Sequence, residues 1–156
     1  MISMNEILMG RLKFDDLTDE QKKNVLVLHE RINKLRTAYG KPLRVNDGVR
    51  RVQDTPKNGA AKSKHIIGAA IDLDDDDAGT LWKWVFANRT LLAEIGLWIE
   101  HPCWTHCDGM SWMHFQILPP SSGRRFFVPS PRPNPNPRFW DGKYESALDS
   151  SSQPGT

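Results

Sequence analysis

Cysteine is scarce in this chain: Cys103 and Cys107 are the two among 156 residues. Two cysteines cannot build a disulfide framework, so stability has to come from a packed core. A chain of this length is expected to fold as one domain and to bury roughly two thirds of the surface exposed when unfolded. Long apolar runs are missing too. No stretch approaches the ~18 residues of a membrane span, and no membrane insertion is expected. The opening residues Met1 to Gly10 hold no basic leader followed by an apolar run and a small-residue cleavage site. They do not read as a secretory signal, and the expectation is a chain made and folded in a reducing cytosol. A surplus of one charge is also absent. Lys plus Arg is 21 and Asp plus Glu is 19, for a net charge of +2, which gives no electrostatic case for a nucleic-acid partner. No internal repeat is visible.

The composition changes once, near the end. Pro131, Pro133, Pro135 and Pro137 alternate and a Ser-rich stretch follows. Residues 1–129 therefore read as the folded domain, and 130–156 as an extended, weakly ordered tail in which Phe139 and Trp140 are candidates to dock back.

Within the domain, Thr18 followed by Gln21 predicts a capping box opening a helix over 18–39. Val25, Leu28, Ile32 and Leu35 form its apolar stripe, and Gly40 and Pro42 stop it. His29 falls on its rim. Leu43 to Arg50 alternates apolar and polar residues like a strand entering an Asp-Gly turn. Gln53 to Lys62 reads as a loop. Asp74 to Asp77 reads as the acidic start of a helix rather than a calcium site, because the spacing and glycine of an EF-hand loop are missing. A helix over 78–94 with a break at Asn88 presents Leu81, Trp84, Val85, Leu91 and Leu92 to the core. Strands follow at 97–100 and 112–117, and a last extended piece at 124–128. The fold class is α+β, with a small antiparallel sheet packed against helices.

The chemistry concentrates in Ser63 to Leu73, which carries His65 and Asp72 with Gly68, Ala69 and Ala70 between them. On a strand, Ala70, Asp72 and Asp74 share one face while Ile71 and Leu73 share the other. Neutral imidazole and carboxylate are zinc ligands at about 2.0–2.2 Å, and a catalytic site usually takes three of them from the protein. His114, in the aromatic run Trp112 to Ile117, is the third candidate. The loop His101 to Ser111 also gathers His101, Cys103, His106, Cys107 and Asp108, but no second Cys pair completes a structural zinc site there.

Ser-x-His-x-x-Gly-x-Ala-x-Asp, followed about forty residues later by Trp-x-His, resembles the zinc peptidases of the D-Ala-D-Ala carboxypeptidase and L-alanyl-D-glutamate endopeptidase group, over roughly residues 18–128. The resemblance implies the fold shared with the Hedgehog signalling domain and a Zn2+ ion held by His65, Asp72 and His114. It also implies a peptidoglycan stem peptide as substrate, in the manner of a phage-type cell-wall lysin. Such an enzyme is expected to act as a monomer, cytoplasmic as synthesised and reaching the wall after release. Arg50, in Asp47-Gly48-Val49-Arg50, stands where the family has the Arg of Ser-Gly-Tyr-Arg, which steadies the substrate carbonyl or carboxylate; Asp47 and Val49 depart from that pattern. The family's usual acid lies three residues before the second His, and here that residue is Ser111. Zinc hydrolysis still requires a carboxylate to move the proton of the attacking water. If 97–100 and 112–117 pair antiparallel, Glu100 falls beside His114 on one face, which makes Glu100 the first choice for this base and Asp108 the second. The alternative is a zinc-containing but catalytically silent wall-binding or signalling module.

Overall fold

Thr18 opens the longest helix as its capping pattern predicts. Its hydroxyl accepts from the Gln21 amide at 3.2 Å, and Gln21 Oε1 accepts from the Thr18 amide at 2.9 Å. In the computed structural model, which describes residues 1–54, 63–102, 105–107, 109–121 and 123–128, this helix, α2, spans Asp19–Tyr39 and ends on Gly40 in the left-handed conformation. A four-residue helix, α1 (Met4–Ile7), precedes it. Val25, Leu28, Ile32 and Leu35 are fully buried. Each such side chain contributes about 1.5–3 kcal/mol by leaving water.

The sheet runs β1-β2-β5-β3-β6, with β1 at Val45–Asp47, β2 at Ala70–Asp74, β3 at Trp98–Glu100, β5 at Met110–Gln116 and β6 at Phe126–Phe127. A short β4 (His106–Cys107) pairs with the start of β5 and lengthens that strand beyond its expected beginning at 112. The sheet is mixed rather than wholly antiparallel. After β5 the chain reverses through Pro119 to Gly123 and returns in the direction of β3, so β6 lies parallel to it. The expected strand over 43–50 is reduced to β1, whose register shifts between Val45 and Asp47.

Strand alternation divides the sheet into two faces. Ile71 and Leu73 of β2, Met113 and Phe115 of β5 and Ile99 of β3 are fully buried and share one apolar cluster with the α2 stripe. The opposite face of β2 and β5 carries Asp72, His114 and Gln116. The second helical segment breaks at Asn88 as expected, into α3 (Thr80–Ala87) and α4 (Arg89–Ile95). Asp75 and Asp76 cap α3: Asp75 accepts from the amides of Leu81 (2.8 Å) and Trp82 (3.0 Å), and Asp76 from that of Thr80 (2.8 Å). The core stripe of α3 is Leu81, Trp82, Val85 and Phe86. Trp84, expected in the core, lies half-buried with its ring against Tyr39 instead, and Leu91 is half-buried as well. Both miss because the break at Asn88 gives each short helix its own inward face.

Among the described residues, no helix is long and apolar enough to cross a membrane. The 130–156 tail, Cys103, Asp108 and residues 55–62 of the expected loop lie outside the described residues.

Candidate metal centre

Three side chains from separate stretches meet on the polar face of the sheet. Asp72 and His114 are direct register partners across β2 and β5, and the pair brings Asp72 Oδ1 to 2.8 Å from His114 Nδ1. His65 comes from the turn that precedes β2. Its Nε2 lies 3.2 Å from His114 Nδ1 and 3.4 Å from Asp72 Oδ1. Among the described residues this is the one group of three His, Cys, Asp or Glu side chains close enough to hold a metal ion.

The turn that carries His65 is held from several sides. Ala69 and Gly68 donate their amides to the carbonyls of Lys64 and His65. Gly68 has a φ of 73°, a conformation that costs a residue with a Cβ, and an added Cβ would meet the Gln21 carbonyl oxygen at 3.1 Å. From α2, Gln21 Nε2 donates to the Ile66 carbonyl at 2.8 Å and Asn24 Nδ2 to that of Ile67 at 2.9 Å. The cap of α2 thus anchors the turn that aims His65. Behind the ring, His65 Nδ1 donates to the Gly48 carbonyl at 2.8 Å, which leaves Nε2 to face Asp72 and His114. Gly48 is itself wedged on α1: the Val49 amide donates to the Ile7 carbonyl at 2.8 Å, and a Cβ on Gly48 would lie 2.0 Å from that oxygen.

The donor set fits a divalent ion. It supplies two imidazole nitrogens and one carboxylate oxygen, the combination zinc accepts in catalytic sites, and the outer nitrogen of each ring already has a partner. Burial acts to raise the Asp72 carboxyl, but hydrogen bonds with His114 and His65 and the charge of both rings hold it far below the usual carboxylate range. A carboxylate that stays ionised is what a cation needs. For His114, burial acts to lower the ring, and the hydrogen bond and charge of Asp72, the charge of Glu100 and the contact with Gln116 together raise it.

Glu100 is buried at the end of β3, and its charge acts on His114. The hairpin expected between 97–100 and 112–117 forms, pairing Trp98 with Gln116 and Ile99 with Phe115. The Arg50 guanidinium reaches Asp47 Oδ2 through Nη1 and Ser63 Oγ through Nη2, both at 3.0 Å, while its backbone amide donates to the His65 carbonyl. Asp47, where the family pattern has Ser, therefore grips this arginine and also binds Arg11. Arg51 points elsewhere, to Asp54. Ser111 donates its hydroxyl to Asp77 at 3.2 Å. His106 lies 3.0 Å from Asp75 Oδ2 and belongs to the capping arrangement of α3.

Sequence reasoning missed four contributors. Gln21 was legible only as a cap, and Asn24 only as part of the polar side of α2. The part Gly48 plays is made by its backbone and has no side-chain signature. Gln116 was detectable in principle, since it shares the His114 face of β5 at a spacing of two. The family model described as Peptidase M15 matches residues 2–108, more than half of the chain. The match includes Arg50, His65, Asp72 and Glu100; His114 lies beyond it, on the strand paired to Asp72. No curated protein and no solved structure matches the chain.

Proposed function

We propose, from the premise that this chain belongs to the peptidase M15 family, that it is a zinc metallopeptidase hydrolysing a peptide bond in the stem peptide of peptidoglycan. The family by itself points to a metallopeptidase. The observation that carries the finer reading is the convergence of His65 Nε2, Asp72 Oδ1 and His114 Nδ1 within 3.4 Å of one another on a sheet face. When bound, zinc supplies an acidified water and polarises the scissile carbonyl.

The rest falls to the chain's own groups. His65, Asp72 and His114 would hold the ion. Glu100, buried one strand away from His114, accepts the water's proton and returns it to the departing amine. Arg50, tethered by Asp47 and Ser63, would steady the substrate carbonyl or carboxylate; a guanidinium stays charged at any working pH. Asp108 is the second choice for the base. Released to the wall by a partner that opens the membrane, a chain of this kind would act as a lysin, as a monomer.

Metal analysis of the purified protein, followed by digestion of purified peptidoglycan and mass spectrometry of the new termini, tests this reading. One zinc per chain and new termini within the stem peptide are expected. Zinc without any new terminus would favour the silent wall-binding module, which the replacement of the family acid by Ser111 keeps in view. No zinc would overturn both.

A further inference from the structure

The two imidazoles offer different ring nitrogens to the centre, Nε2 from His65 and Nδ1 from His114, so each must keep its proton on the opposite atom. For His65 the Gly48 carbonyl ensures this. For His114 the acceptor is a side chain. Gln116 sits two residues further along β5, 4% exposed, with its Oε1 3.3 Å from His114 Nε2. Its amide faces one way only. The NH2 end donates to the Leu118 carbonyl at 2.6 Å, which turns the oxygen toward the ring. We infer that Gln116 is a positioning residue that holds the Nε2 proton of His114, fixes the plane of the ring and so reserves Nδ1 for the metal.

The physical basis is general. A ligating imidazole donates its outer N–H to an acceptor that sets the tautomer and raises ligand basicity, and loss of that acceptor costs about 10–100-fold in metal affinity. Gln116 meets the requirement because it is bound at both ends. A glutamine with a free NH2 end could present either atom to the ring, and its nitrogen would repel the Nε2 proton. The Leu118 carbonyl removes that choice. The inference rests on the metal reading above and adds a residue that the ligand motif does not contain.

Two substitutions separate the role from mere packing. Gln116→Met keeps the volume and removes the acceptor. Gln116→Glu keeps an acceptor for His114 and loses the donor to Leu118. Zinc dissociation constants measured by chelator competition should be about 10–100-fold weaker for Gln116→Met, with Gln116→Glu retaining or exceeding wild-type affinity. Equal affinity in wild type and Gln116→Met, or Gln116→Glu as weak as Gln116→Met, would overturn the inference while leaving the metal reading intact. A wild-type protein without zinc would overturn both. Should Gln116→Met fail to fold, the imidazole 15N–1H spectrum of the zinc-loaded wild type decides: the His114 proton is expected on Nε2, and a proton on Nδ1 would refute the assignment.

Discussion

The charge of Glu100, at the end of β3, acts on the ring of His114 on the paired strand β5 and helps to hold a proton there. No carboxylate occupies the position three residues before His114, where Ser111 binds Asp77. General acid–base catalysis typically contributes about 10²–10⁴-fold. Glu100→Gln should lose turnover in that range with zinc content and melting temperature near wild type, and Asp108→Asn should be far milder. The reverse order would transfer the role to Asp108.

His65→Ala and His114→Ala should each abolish stoichiometric zinc together with activity. Full zinc occupancy in purified His114→Ala, read by elemental analysis, would remove that residue from the ligand set.

Arg50→Lys keeps a positive charge but cannot reproduce the fork that reaches Asp47 and Ser63 together. Removing one oriented donor of this kind costs about 10²–10³ in turnover where it acts on the transition state. Unchanged kcat and KM, with zinc still bound, would return Arg50 to a structural tie.

Gly48→Ala forces a Cβ to within 2.0 Å of the Ile7 carbonyl, a backbone atom that cannot swing away. A loss of about 3 kcal/mol is expected, near the top of the usual range for point substitutions. Gly40→Ala is the control: the space there is open and only the left-handed conformation is strained, so about 1–2 kcal/mol should be lost. Denaturant titration distinguishes the two.

Burial and the charge of His106 push His101 down to about 3, against about 6.5 in an unfolded chain. Between these values the unfolded chain binds a proton that the folded one refuses. Stability from this group is therefore complete above about pH 6.5 and falls as the pH drops toward about 3. Asp75 is held below its ordinary value: burial opposes this, and His106 with the amides of Leu81, Trp82 and Asp76 prevails. Its contribution is present above the ordinary carboxylate range and is lost as the pH falls through and below that range. In metal-free protein, His101→Phe should flatten the decline in stability between pH 6.5 and 4. An unchanged slope would mean that another group sets it.

Much of this was legible because local signals agreed with the packing. Thr18 and Gln21 announced α2, its four stripe residues are all buried, and Asn88 broke the second helix where expected. The meeting of His65, Asp72 and His114 followed from a motif whose spacing the strands convert into proximity. What escaped depended on backbone atoms or on contacts distant in sequence. The Ile7 carbonyl against Gly48 joins residues 41 apart, and no side-chain pattern records it. Trp82 took the core place expected of Trp84, since two short helices need not keep one common phase. The direction of β6 was set by a chain reversal at Pro119 to Gly123 that periodicity does not encode.

The seam between β2 and β5 has two incompatible faces, apolar through Ile71, Leu73, Met113 and Phe115 and polar through Asp72 and His114. Slippage by one residue would present Met113 or Phe115 to Asp72 and thrust the imidazole into oil. A cation that took all three donors would consequently select among misaligned chains, capturing those whose strands have annealed correctly. Zinc added during renaturation should act as a template and raise the yield of native protein, beyond what its affinity for the finished fold contributes.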